Sequence, residues 1–271
     1  MITFRCDSGY RSAHVIPMGK SHHRDRKHFP CFLELLYGDE TLNSPNGFVI
    51  EISLEKRCLH IDSITGAIAQ AAYSRSAMKP ELMERLEQLS APYASLQSWS
   101  VHPNTIRALV RRYSEQAAFY PLEEIAQWIS YQSYGLFLLP GYQPLFYLCT
   151  ESKGISPNKS ATAAIGEACL GLTMQYLYKG RLLARPVADY PDAVCADPAT
   201  NTIYLGEAKA TAARTVDDVK RVVDGELPRF IPFVVAANSL DTTQTKVLGL
   251  LVGTTIITST QFHCAITEVR V

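Results

Sequence analysis

A short turn constrains the fold of this chain more than any other feature of its sequence. Residues 197–201 (DPATN) carry the aspartate, proline and asparagine that favour tight turns. They lie between two segments, 192–197 and 202–210, that we predict to be strands. Pairing these strands about the turn predicts an antiparallel hairpin in which Asp192 lies opposite Glu207. A register shifted by one residue would instead place the two carboxylates on opposite faces of the sheet.

The elements predicted on either side of this hairpin indicate an α/β fold. After residue 159 the predicted order is a helix at 160–179, strands at 182–188, 192–197 and 202–210, a helix at 216–224 ended by Gly225, and strands at 231–237 and 254–259. A mixed sheet with helices on its faces is the packing that buries the apolar residues of such a series.

A polar segment at 151–159 (ESKGISPNK), which contains glycine and proline, predicts a boundary between two regions. Region 151–271 holds the elements just described. Region 1–150 is predicted to be mixed but mainly helical, and to serve nucleic-acid or partner binding or oligomerisation. Its predicted elements are a strand at 48–54 and helices at 80–89, 104–118 and 122–131.

Net charge and cysteine content narrow the class of protein. The 271 residues carry 26 Lys and Arg and 26 Asp and Glu, so the chain is not coated in positive charge, although a local basic stripe is enough to bind phosphate. Seven cysteines without a CxxC pair indicate reduced thiols and a cytoplasmic protein. The N-terminus lacks the apolar segment of a signal peptide. The most apolar stretch, 134–149, is interrupted by Pro140 and Pro144, so we expect no membrane span.

Three acidic residues and one lysine are expected near this hairpin. Glu207 and Lys209 are two positions apart in a predicted strand, so their side chains share a face. Asp192 would lie opposite Glu207, and two facing carboxylates repel each other unless a divalent cation lies between them. Glu167 lies on the apolar side of helix 160–179, where a carboxylate is either exposed at the edge of the packed face or buried with a partner, such as a metal ion or Lys209.

Pro191-Asp192 followed by Glu207-Ala208-Lys209, with a helix before and a helix after, resembles the PD-(D/E)XK superfamily of restriction-endonuclease-like nucleases. The resemblance covers about residues 160–260 and implies a core of helix, three strands, helix and strand (αβββαβ). It implies an endonuclease that hydrolyses phosphodiester bonds, in DNA rather than RNA, with Mg²⁺ or Mn²⁺. A restriction, defence, mobile-element or toxin context suits the superfamily, as does a homodimer.

The resemblance also implies a role for each residue of the motif. Asp192 and Glu207 would be ligands to Mg²⁺, and Lys209 would be the catalytic lysine that positions or activates water. The carbonyl oxygen of Ala208 would be a further ligand, and Glu167 from the first helix an accessory one. The metal would activate water, neutralise the scissile phosphate and support the leaving oxygen.

Other readings of the same residues stay open. Asp192, Glu207 and Lys209 could form an exposed polar face on which the lysine only pairs with Glu207. The fold could be a catalytically degenerate module that binds nucleic acid or a protein partner. Region 1–150 could bind a partner or small ligand that regulates region 151–271.

Basic and metal-binding residue types elsewhere carry separate hypotheses. Lys220 and Arg221, on helix 216–224, are candidates for contact with backbone phosphates, and a solvated helix face is the alternative. The predicted helices on either side of segment 90–100 could form a helix-turn-helix with this segment as the link. An oligomerisation or interdomain face formed by these helices is the alternative. The N-terminal loop GKSHHRDRKH either contacts phosphate or is merely solvated. Candidate zinc ligands in this part of the chain are Cys6, His14, His22, His23, His28 and Cys31.

Overall fold

The structure is a computed structural model that describes residues 49–89, 91–134, 137–140, 146–149, 157–186, 190–212, 215–240 and 245–271. The zinc and phosphate-binding hypotheses for the N-terminal loop lie outside the described residues. In these ranges no helix combines the length and the apolar composition needed to cross a membrane.

Strands and helices alternate along most of the described chain, as expected for an α/β fold. The strands are β1 (Ile50–His60), β2 (Ala94–Val101), β3 (Phe137–Pro140), β4 (Phe146–Cys149), β5 (Arg181–Ala184), β6 (Ala193–Asp197), β7 (Thr202–Thr211), β8 (Lys246–Thr258) and β9 (Gln261–Arg270). The helices are α1 (Ser63–Ser74), α2 (Lys79–Gln88), α3 (Pro103–Tyr113), α4 (Pro121–Tyr134), α5 (Lys159–Tyr176) and α6 (Val216–Leu240). A single 3₁₀ turn, Ser76–Met78, precedes α2.

Seven of these strands form one mixed sheet in the order β2-β1-β9-β8-β7-β6-β5. Strands β5, β6 and β7 are antiparallel neighbours, β7 and β8 are parallel, β8 and β9 are antiparallel, and β9 and β1 are parallel. Strands β3 and β4 form a separate two-stranded hairpin. The predicted α/β class with a mixed sheet is therefore confirmed.

Helices cover both faces of the large sheet, and each face has its own core. Apolar residues of α3, α4 and α5 pack on one face, and those of α1, α2 and α6 pack on the other. Helix α5 begins after Asn158, whose side-chain oxygen accepts hydrogen bonds from two free backbone N–H groups (3.0 and 3.4 Å). A Cβ atom at Gly166 would lie 2.7 Å from the Cβ of Ala210 in β7. This close approach brings the next residue, Glu167, to the sheet.

Helix α6 corrects two predictions. It runs from Val216 to Leu240, so Gly225 does not end it and the strand predicted at 231–237 is wrong. A short apolar run does not distinguish a buried strand from a buried helix. Here the buried residues continue the helical period, whereas Gly225 faces open space. The residues of the period are Val219, Val223, Leu227, Phe230, Ile231, Val234 and Val235.

Strand β2 argues against the helix-turn-helix alternative, because it occupies most of the segment 90–100 that this motif would need as its link. It pairs with β1, and β1 in turn pairs with β9. Strands from both sides of the boundary predicted at 151–159 therefore share one sheet. Residues Asn46–Val271 form a single compact unit.

The remaining differences concern the lengths of predicted elements and elements that were not predicted. Helix α3 ends at Tyr113 rather than at 118, because the chain turns extended at Ser114. Strand β8 begins at Lys246 rather than at 254, and helix α1 and strand β9 were not predicted.

Candidate active site

The hairpin of β6 and β7 has the register predicted from the sequence. Ala193 pairs with Gly206, so Asp192 and Glu207 are the next residues outward on their two strands. Strand β6 starts at Ala193, whereas β7 continues to Thr211, so the outer end of β7 has a free edge on that side. The Oδ2 atom of Asp192 accepts a hydrogen bond from the backbone N–H of Ala208 on this edge (2.7 Å). Asp192 is thereby fixed beside the Glu207–Lys209 segment.

Glu207 and Lys209 share a face of β7, as predicted, and form an ion pair. The Nζ of Lys209 lies 2.7 Å from Oε1 of Glu207. Glu207 is buried, with 3% of its surface exposed. Its second oxygen, Oε2, is buried without a hydrogen-bond partner among the described residues. One acceptor atom of the central carboxylate is therefore available to a ligand.

Glu167 reaches the same region from α5 and is buried as well, with 7% of its surface exposed. Its hydrogen-bond donors in the described residues do not include Lys209, which the sequence suggested as a partner, and come instead from the loop after α3. Oε2 accepts from the backbone N–H of Glu115 (2.9 Å), and Oε1 accepts from Nε2 of Gln116 (3.0 Å). Glu167 thus holds the loop after α3 against the site, and both of its oxygens already accept hydrogen bonds.

Burial and neighbouring negative charge raise the pKa of Asp192 and of Glu207. Burial, followed by the negative charge of Glu207, raises the pKa of Asp192 to about 7, and Glu167 adds to the effect. The Ala208 N–H and Lys209 oppose this rise without cancelling it. The pKa of Glu207 is also raised, chiefly by burial. Burial acts to lower the pKa of Lys209, but the surrounding carboxylates outweigh it and the pKa is raised. The site holds more negative charge than its one lysine neutralises.

Two further residues of the site were missed by sequence reasoning. Glu226 lies on α6, and its Oε2 is 3.6 Å from Nζ of Lys209. Tyr190 packs edge-on against two phenylalanines of α6, and the nearby charges of Glu207 and Glu226 help burial to raise its pKa. The signal for Glu226 lay in the helical period of α6, which the predicted end at Gly225 cut short.

The two predicted phosphate-binding residues on α6 have different environments. Lys220 forms an ion pair with Glu55 of β1 (2.6 Å), and its Nζ lies 5.1 Å from the centre of the Tyr93 ring. Arg221 pairs with Asp218 on the same helix, and 77% of its side chain is exposed. Only Arg221 of the two presents its charge to solvent.

The oxygen atoms of the site are possible ligands for a divalent cation. No group of three or more His, Cys, Asp or Glu side chains with metal-site geometry occurs in the described part of the chain. The buried free Oε2 of Glu207 and the raised pKa of Asp192 nevertheless fit a cation, because both indicate missing positive charge. Asp192 and Glu207 are the side chains able to hold it. Both are oxygen donors, the type that Mg²⁺ and Mn²⁺ prefer.

Comparisons with protein-family models, with curated proteins and with solved structures gave no match to this chain.

Proposed function

We propose that this protein is a nuclease that hydrolyses phosphodiester bonds with Mg²⁺ or Mn²⁺, in DNA rather than RNA. One observation carries the proposal. The buried carboxylate of Glu207 and the half-buried carboxylate of Asp192 lie together at the outer end of β7 next to a lysine, and one oxygen of Glu207 has no hydrogen-bond partner among the described residues. Buried carboxylate oxygens are usually hydrogen-bonded, so an unsatisfied one beside a second acid is a candidate ligand for a cation.

The order of elements supports the proposal. Helix α5, the antiparallel strands β5 to β7, helix α6 and strand β8 parallel to β7 follow one another as in the αβββαβ core of the PD-(D/E)XK resemblance. Glu207 and Lys209 lie on the third strand of this series, Asp192 directly precedes the second, and Glu167 lies on the first helix.

Each residue has a distinct task under this proposal. Asp192 and Glu207 would hold the cation, with the Ala208 N–H fixing the orientation of Asp192. A bound cation supplies polarisation of water and neutralises charge on the scissile phosphate. The ammonium group of Lys209, held by Glu207, is available to a phosphate oxygen or to the attacking water. Glu167 fixes the loop that follows α3 and adds negative charge.

A second candidate function is a catalytically degenerate module that binds nucleic acid or a protein partner. The 2.7 Å ion pair between Lys209 and Glu207 favours it, together with the absence of a three-residue metal cluster in the ranges that the structure describes. A module of this kind keeps the fold but does not hydrolyse.

A cleavage assay tests the proposal. The protein is incubated with supercoiled plasmid, linear duplex DNA, single-stranded DNA and RNA, each with Mg²⁺, with Mn²⁺ or with EDTA. We expect cation-dependent cleavage of DNA, which falls roughly 100- to 1,000-fold in Lys209→Ala and in Asp192→Ala. Lys246→Ala, which removes an exposed lysine from the far end of the neighbouring strand, is the matched control and should cut at the wild-type rate.

Cleavage that persists unchanged in both site variants would contradict the assignment of the site. If the wild-type protein cuts no substrate, calorimetry with Mn²⁺ separates the two candidate functions. Cation binding lost in Asp192→Ala would keep the metal site and point to a missing activator, whereas no binding would favour the degenerate module.

A further inference from the structure

Lys209 lies between two carboxylates that belong to different elements. Glu207 precedes it by two residues on β7, and its Oε1 is 2.7 Å from the ammonium nitrogen. Glu226 comes from α6, and its Oε2 is 3.6 Å from the same nitrogen. The side chain of Lys209 is 27% exposed and that of Glu226 is 17% exposed, so water screens this contact only in part.

The second oxygen of each carboxylate lacks a hydrogen bond. Oε2 of Glu207 and Oε1 of Glu226 are both buried without a hydrogen-bond partner in the described residues. The guanidinium of Arg229 lies 3.7 Å from Oε1 of Glu226, at the long end of the range for an ion pair, and is mostly exposed. One ammonium group thus contacts two carboxylates, and each carboxylate has one buried oxygen without a hydrogen bond in the described residues.

We propose that Glu226 is a positioning residue that keeps Lys209 in place when a divalent cation occupies Glu207. This inference rests on the proposed function of the site. A cation on Glu207 attracts the carboxylate that now holds Lys209 and repels the ammonium group. Glu226 offsets that repulsion, because it offers Lys209 a second anion that is not a candidate ligand in the hairpin. Without Glu226, the cation and Lys209 compete for the same carboxylate.

Direct binding of Mn²⁺ to the full chain, measured by calorimetry or by electron paramagnetic resonance, tests this inference without relying on activity. We expect Glu226→Gln to bind Mn²⁺ about tenfold more weakly than wild type, the size typical of residues that orient a metal site from outside it. Glu226→Asp, which keeps the charge, should recover most of the affinity. Asp217→Asn, which removes an exposed carboxylate from the same helix, is the matched control and should bind as wild type does.

A double-mutant cycle shows whether Glu226 acts through Lys209. In the Lys209→Met background, adding Glu226→Gln should change Mn²⁺ affinity by less than about twofold. A tenfold loss in both backgrounds would overturn the inference, because Glu226 would then act on the cation directly. Wild-type affinity in Glu226→Gln, with the variant shown to be folded by its unfolding curve, would overturn it as well. If the wild-type chain binds no Mn²⁺, the proposed function fails and this inference fails with it; if it binds Mn²⁺ and only the Glu226 effects are missing, the proposed function stands.

Discussion

Two buried glutamates of the same sheet have opposite electrostatic environments. Glu268 lies on β9 with 1% of its surface exposed, and Glu207 lies on β7 with 3% exposed. Glu268 is surrounded by donors on every side: it accepts from the Tyr178 hydroxyl (2.8 Å), from Lys56 (2.6 Å) and from Arg270. Burial acts to raise the pKa of Glu268, but these donors outweigh burial and the pKa is lowered.

Among the described residues, the side chain that donates a hydrogen bond to Glu207 is Lys209, and burial raises the pKa of Glu207. Burial is thus similar at the two glutamates, and the number of donors decides the direction of the shift. A saturated carboxylate such as Glu268 stabilises the fold and has no free oxygen for a ligand. An unsaturated one such as Glu207, with Asp192 beside it, lowers the stability of the empty site and favours a cation. Because of this contrast, we interpret the residues around Glu268 as structural and propose that those around Glu207 form the functional site.

The largest expected effect is a difference in the free energy of unfolding between substitutions of the two glutamates. Glu268→Gln should lower the free energy of unfolding by about 3 kcal/mol, because it leaves two cations and a hydroxyl around a neutral amide. Glu207→Gln should change it by less than about 1 kcal/mol, because the charge that it removes is poorly compensated. Urea unfolding at pH 7.5 with EDTA measures both. Equal losses of unfolding free energy in the two variants would contradict the difference inferred between the two glutamates.

The next effect concerns pH. Because the pKa of Asp192 is raised to about 7 in the folded protein, against about 3.9 in an unfolded chain, protonated Asp192 contributes stability at low pH. That contribution is lost as the pH rises from about 4 through 7. Asp192→Asn lacks this titration and keeps an oxygen for the Ala208 N–H. Its stability relative to wild type should therefore improve by about 2 kcal/mol between pH 5 and pH 8 without metal, as measured by urea unfolding at both values. A difference that stays constant with pH would show that Asp192 is not held in this environment.

The smallest expected effect concerns DNA binding by two basic residues of α6. Lys220 forms an ion pair with Glu55, whereas the side chain of Arg221 is mostly exposed. If α6 contacts phosphates, Arg221→Ala should weaken DNA binding two- to fivefold and reduce the salt dependence of log K by about one. Lys220→Ala should mainly destabilise the fold, because it removes the cation that pairs with the half-buried Glu55. Fluorescence anisotropy across a salt series, with Ca²⁺ in place of Mg²⁺, measures the binding. A larger loss of binding in Lys220→Ala than in Arg221→Ala would reverse the assignment.

The sequence was most informative where local chemistry decides the structure. The turn at 197–201 determines the register of β6 and β7, and that register places Asp192 beside Glu207. The start of helix α4 was equally local, since Pro121 precedes the helix predicted at 122–131 and is the first residue of α4. The position of the motif could therefore be predicted from short-range patterns alone.

Features that depend on distant partners could not be predicted in this way. The segment 231–237 is helical because its apolar side chains pack on the sheet, and the same residues would suit a strand. Glu226 joins the site only because α6 continues past Gly225. The partners of Glu167 come from a loop about fifty positions earlier in the chain. Neither contact can be recognised from the spacing of residues around the motif.

The parallel pairing of β1 with β9 has a consequence for how the molecule folds. Its partners, such as Arg57 and Thr267, are 210 positions apart along the chain. Closing so long a loop costs chain entropy before any strand-to-strand hydrogen bond repays it, so this pairing is intrinsically slow. Strand β9 also lies between β1 and β8, and in the described sheet it joins β1 and β2 to the four strands β5 to β8. On a ribosome, therefore, the strands of the site can pair with each other early, while β1 and β2 must wait for β9 to be made before they can join them.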